Sequence, residues 1–141
     1  MSYTHTVTVA LPYLEVVERT RAALADQGFG ILTEVDIKAT FAAKLGADAA
    51  AAVGDYIILG ACNPTLASKA LAAEPELGAL LPCNIVVRRA NDDHETTVEA
   101  IDPQTMVQLS RSDQVREVAD DADVRLRAAL STVGDIRSIC G

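Results

Sequence analysis

Two Cys-Asn pairs are the residues of this chain best suited to chemistry. Cys62-Asn63 lies inside Gly60-Ala61-Cys62-Asn63-Pro64, and Cys83-Asn84 follows Leu81-Pro82. Each pair stands at the edge of an apolar run, where a strand ends or begins. If Asn63 caps a helix with Pro64 in its first turn, the Cys62 sulfur sits just before a helix N-terminus. The partial positive charge there favours a thiolate. Pairing of the two strands would bring the Cys83 sulfur to the same end of the sheet, where the two could share a metal ion, a persulfide or a reversible disulfide. The opposing reading makes both cysteines small apolar core residues. The spacing is a weak metal signature, because no two ligands fall within one turn.

Glu34, Asp36 and Lys38 form a second set. On a strand they alternate along one face, and in a pocket they would supply acid, base and cation; an exposed sheet face explains the same pattern. Asn63 and Asn84 offer side-chain amides that could orient a bound group, although Asn63 also suits a helix cap. Lys69, further along the same helix, reads as a solvated lysine. His94 belongs to a polar turn with Asp92 and Asp93. His5 stands alone on the first strand, with no second imidazole near it. Cys140, close to the C-terminus, is expected to be exposed and incidental. No Ser/His/Asp set, P-loop or dinucleotide fingerprint is present.

The elements that must position these groups follow from periodicity. Thr4 to Ala10 alternates as a half-buried strand, with His5, Val7 and Val9 on one side. A helix opens at Pro12, buries Val16, Val17, Ala23 and Leu24, and ends at Gly28, a residue free to turn left-handed. Phe29 to Lys38 reads as a strand with Ile31, Thr33, Val35 and Ile37 on one face and Leu32, Glu34, Asp36 and Lys38 on the other. A short helix, Ala39 to Leu45, closes at Gly46. The alanine run 47–52 is a connector of undecided helicity. Tyr56 to Cys62 is a continuous apolar run, expected as a central strand.

A helix through Leu66, Ala70 and Leu71 is stopped by Glu74-Pro75-Glu76. Strands follow at Asn84 to Arg89 and at about Glu95 to Ile101, joined by a turn at Asn91-Asp92-Asp93. Asp102-Pro103 opens a short helical turn reaching Leu109. Ser112 or Asp113 caps a closing helix that buries Val115, Val118, Ala122, Leu126 and Leu130, and the tail after Gly134 is expected to be loosely held. The mixture argues for an α+β fold: one domain over residues 1–141, a mostly antiparallel sheet of about five strands, and helices packed against it.

Composition bounds the function. The chain has 141 residues, half of them apolar, and a formal net charge of −8, which disfavours binding to nucleic acid. Three well-separated cysteines without a Cys-x-x-Cys suit free thiols in a reducing compartment. No signal peptide or membrane span is expected, so a cytoplasmic setting follows by default.

Three segments resemble a known family: Gly28 to Lys38, then Ile58 to Pro64, then Glu74-Pro75-Glu76-Leu77-Gly78 through Leu81-Pro82-Cys83-Asn84. They are similar to the domain-of-unknown-function 302 family over about residues 12–109, with Ile101-Asp102-Pro103 a further fit; the closing helix at about 113–131 is less diagnostic. The resemblance implies a small α+β domain, usually bacterial or archaeal, that forms a homodimer and has no established activity or cofactor. Three functions then stand side by side. One is a binding protein with a pocket around Cys62, Asn63, Cys83 and Asn84 and with Glu34 and Lys38 as outlying polar groups, its ligand a metal, a sulfur species or a small organic molecule; Cys62 and Cys83 are the metal candidates. Another is a redox enzyme with Cys62 as nucleophile and Cys83 as resolving thiol, and the third is a structural dimerisation module. Whether any reaction is catalysed stays open.

Overall fold

The computed structural model describes residues 2–140, with side chains through Gly134. The expectations for the tail after Gly134 and for Cys140 concern side chains outside the described residues. Alternation along the N-terminus produces strand β1, Thr4–Val9, and Pro12 leads into helix α1, Tyr13–Asp26. Helix α1 ends in a paired left-handed stop. Gly28 takes φ +84°, its N–H donates to the Ala25 carbonyl, and the Phe29 N–H donates to the Leu24 carbonyl. The chain then runs through β2 (Gly30–Asp36), α2 (Ile37–Leu45), α3 (Ala47–Val53), β3 (Asp55–Cys62) and α4 (Pro64–Ala73). A 3-10 turn, Pro75–Leu80, precedes β4 (Cys83–Arg89), β5 (Thr96–Ile101), α5 (Gln104–Leu109) and α6 (Asp113–Cys140). The alanine connector is thus helical. Ser112 caps α6, its Oγ accepting from the Val115 N–H.

The five strands form one antiparallel sheet in the order β1-β5-β4-β3-β2. The fold is α+β. One sheet face carries Val9, Leu59, Ala61, Ile85, Val87, Val98 and Ala100, and it is buried under α1 and the C-terminal half of α6. Full burial of a residue such as Leu24, Leu59, Ile85 or Leu126 stabilises the fold by about 1.5–3 kcal/mol each. A second core lies beside the sheet: Leu66 and Ala70 of α4, Leu77 and Met106 pack on Val115, Val118, Ala119 and Ala122 of α6. Helix α6 therefore spans both cores. The opposite sheet face, with Thr4, Thr6, Thr33, Val35, Tyr56, Ile58, Asn84, Val86, Arg88 and Glu99, has none of these residues buried.

Strand β2 departs from the sequence expectation in two ways. It stops at Asp36, because the Asp36 carboxylate accepts from the Ala39 N–H at 2.9 Å and starts α2 two residues earlier than the apolar pattern implies. It is also bulged: Ile31 faces Ala61 and Thr33 faces Gly60, leaving Leu32 as the extra residue. A strand that gains one residue flips every later side chain. Ile31 and Thr33 consequently lie on opposite faces, and Glu34 and Asp36 oppose Leu59 and Ile57 on the helix-covered face. Lys38 belongs to α2, so Glu34, Asp36 and Lys38 do not share a strand face.

Candidate functional site

The cysteine motifs converge because β3 and β4 are neighbours. Ala61 is registered against Cys83, and Cys62 against Gly30 of β2. Asn63 turns the chain from strand to helix: its Oδ1 accepts from the Leu66 N–H at 3.2 Å, and Pro64 fills the first helical position. Gly28 lies against this cap, where a β-carbon would stand 3.0 Å from Asn63 Nδ2. On the other side a cis Leu81-Pro82 peptide delivers Cys83 to the start of β4. Gly60 completes the arrangement, since a β-carbon there would run into Thr33 Oγ1 and approach Pro82 Cγ to 2.8 Å. The absence of a side chain at Gly60 lets the bulged β2 and the Pro82 turn close over the strand.

Between the two cores this leaves a small apolar cavity of about 30 Å³, walled by Phe29, Leu66, Leu77, Met106 and Val118, with Cys62, Asn63 and Cys83 on its lining. Both cysteines are free thiols; Cys83 is buried and Cys62 is half-buried. Burial, and then the neighbouring Cys62, pushes the Cys83 thiol up to about 11. A thiol in that range is a poor nucleophile at neutral pH.

The other candidates lie elsewhere. Asn84 points to the open sheet face, in a shallow groove with Tyr3, Tyr56, Val86 and Glu99. Glu34 forms an ion pair with Arg21 of α1. Lys38 reaches Asp55 at 3.4 Å, and Asp36 is occupied as the α2 cap. Lys69 is exposed and faces a cleft with Glu117 and Asp121. His94 is exposed. The structure thus gathers Cys62, Asn63 and Cys83 and leaves Asn84, Glu34 and Lys38 apart from them.

His5 is not isolated. Its Nε2 lies 2.6 Å from Asp123 Oδ1 and 3.7 Å from Asp102 Oδ1. Sequence reasoning missed this cluster because its members come from β1, the turn after β5, and α6. No local spacing links them, and Asp102 already had an explanation as a cap, its Oδ1 accepting from the Gln104 N–H.

Comparison with known proteins accounts for the shared architecture. The family described as "Domain of unknown function DUF302" matches residues 5–133. The chain belongs to the DUF302 family. The crystal structure of an uncharacterised conserved DUF302 protein from Bacillus stearothermophilus superposes with a TM-score of 0.82 at 28% sequence identity. That likeness covers 94% of this chain and 99% of the other. No curated protein matches the sequence. In this DUF302 domain the match takes in β1 except Thr4, the other four strands, both cysteine motifs and most of α6, so the cavity is built entirely from matched residues. No described helix is long and apolar enough to cross a membrane.

Proposed function

We propose that this DUF302 protein is a small binding protein whose ligand is a thiophilic species seated between Cys62 and Cys83, a soft monovalent metal ion such as Cu(I) foremost. The observation that carries this reading is that both cysteines line one apolar cavity and that Cys62 is near enough to raise the Cys83 proton affinity. A volume of about 30 Å³ holds an ion or one or two atoms rather than an organic metabolite. Soft thiolates in a dry pocket select soft ions. The high proton affinity of Cys83 would make it a slow resolving thiol in the alternative of a redox enzyme, since each attack on sulfur needs a thiolate. A metal ion, by contrast, expels the proton as it binds. Free thiols also suit a reducing compartment, and the cytoplasm is the setting we infer.

The test is anaerobic titration of Cu(I) against a colorimetric chelator. One equivalent is expected, with affinity at least about tenfold lower in Cys62→Ser and in Cys83→Ser. Uptake that is absent, or unchanged in the double variant, refutes the reading.

A homodimer is the second element of the proposal, and the open sheet face favours it. Val35 is 41% exposed there, beside half-buried Tyr56, Ile58 and Val86. Its central charges, Arg88 and Glu99, pair with each other at 2.6 Å. Two copies of a chain with net charge −8 can therefore meet across a locally neutral surface. Light scattering is expected to give a dimer mass that falls to a monomer in Val86→Arg; a monomeric parent protein would end this part of the proposal.

A further inference from the structure

Outside the cysteine cavity, the described residues bring together one mixed set of metal-ligating side chains. His5 on β1, Asp102 in the turn after β5 and Asp123 on α6 each place one ligand atom within 4.8 Å of the other two. We propose that this triad is a site for one divalent transition-metal ion of the zinc type, bound through the His5 imidazole and one oxygen of each aspartate.

The fold holds all three ligands firmly. His5 is registered against Ala100, which directs its ring to the helix-covered face. The Asp102 backbone N–H donates to the Tyr3 carbonyl at 2.8 Å, and its carboxylate is fixed by the Gln104 N–H at 2.9 Å. Asp123 follows the core residue Ala122 on α6 and is only 8% exposed. Carboxylates so far from water are rare unless they are paired or bind a metal.

Charge favours the ion over a simple pair, although His5 Nε2 and Asp123 Oδ1 are hydrogen-bonded at 2.6 Å without one. An imidazolium would offset one of the two carboxylates. The remaining cation, Arg127, touches the outer oxygen of Asp123 at 3.3 Å from a side chain that is 62% exposed, where its contribution is weakened by solvent. A divalent ion offsets both carboxylates at once. Tetrahedral zinc with bonds near 2.0–2.2 Å sets its ligand atoms about 3.4 Å apart. The two distances from His5 Nε2, 2.6 and 3.7 Å, bracket that value, and all three ligand atoms lie within 4.8 Å of one another. The donor set of one nitrogen and two oxygens suits zinc or manganese and not a soft ion. Three protein ligands leave a coordination position for water, while Gln104 and Arg127 orient the two carboxylates from outside.

Zn²⁺ is titrated by calorimetry into the chelator-treated chain carrying Cys62→Ser, Cys83→Ser and Cys140→Ser, so that no thiol competes. One equivalent is expected, with affinity reduced at least about tenfold by His5→Gln and by Asp123→Asn. Asp102→Asn preserves the cap acceptor and provides a milder variant, whose fold is checked by circular dichroism. No uptake, or uptake indifferent to His5→Gln, overturns the proposal and leaves the triad an ion pair. In the unmodified chain Mn²⁺, an ion that prefers oxygen and nitrogen donors, is expected to broaden amide resonances around His5 and Asp123. Broadening centred instead on Cys62, or none, overturns it independently. Because the thiols are absent in one arm and disfavoured in the other, failure here is separable from failure of the Cu(I) reading.

Discussion

Cys83 offers the sharpest test of the cavity. Its thiol is raised from an ordinary 9.0 to about 11, first by burial and then by Cys62. At pH 8 that shift lowers the thiolate fraction from roughly one in ten to roughly one in a thousand, a factor of about 100 in alkylation rate before steric access counts. The same shift makes stability pH-dependent. A folded-state value above the unfolded one gives stability that is complete below the unfolded value and is lost as pH rises toward the folded one. The window is therefore about pH 9 to 11. The ceiling is about 3 kcal/mol, of which roughly two-thirds is gone by pH 10.5. Tyr13, raised to about 12 by burial and then by Asp36 and Asp55, acts in the same direction from about pH 10 upward; comparison with Cys83→Ala separates the two. The assay has two parts: iodoacetamide labelling followed residue by residue, native against urea-unfolded, and urea midpoints at pH 8 and 10.5. Expected are a Cys83 labelling rate at least about 100-fold slower in the native chain, and a smaller alkaline loss of stability in Cys83→Ala. Native labelling within about threefold of the unfolded rate would refute the reasoning, since thiolate chemistry follows both proton affinity and access.

Two further substitutions probe how the fold builds the site. Gly60→Ala places a methyl against Thr33 Oγ1 and Pro82 Cγ; a loss of about 1–3 kcal/mol is expected from overpacking, read by urea denaturation, and a neutral result would mean the bulge does not depend on the bare position. Asn63→Ala removes the Oδ1 acceptor of the Leu66 N–H and should cost about 1 kcal/mol. Asn63→Asp should keep most of it, and equal losses in the two variants would rule out capping as the reason for Asn63.

What the sequence made legible is what local chemistry determines. The stop at Gly28, the cap at Asn63 with Pro64, and the buried stripe on α6 each rest on residues within a turn or two of one another, and each stands where periodicity and capping rules placed it. The convergence of Cys62 and Cys83 needed one further step, the pairing of β3 with β4, which the sequence supplies only as a condition. The Glu34 set was misread on two counts: the extra residue Leu32 moves Glu34 and Asp36 together to the helix-covered face, and the Asp36 cap takes Lys38 into α2. Nothing in a period-two pattern announces a bulge: Leu32 is as good a strand residue as Ile31, and the bare position that accommodates Thr33 is Gly60, on the partner strand. The His5 cluster required more still. Its donors come from β1, the turn after β5 and α6, and Asp102 already had a sufficient local reading as a cap.

The two candidate sites meet on α6, where Ala122 lines the cysteine cavity and the next residue, Asp123, faces His5. Successive positions on a helix point about 100° apart, so one turn serves a sulfur-lined pocket on one side and an oxygen-nitrogen cluster on the other. Helix α5 is shared in the same way, with Met106 in the cavity wall and Asp102 at its start. Because soft ions prefer thiolates and zinc-type ions accept imidazole with carboxylate, the donor chemistry keeps the two sites distinct although their supporting elements are common. Helix α6 walls the cysteine cavity and carries Asp123 of the proposed triad, and the matched region takes in both.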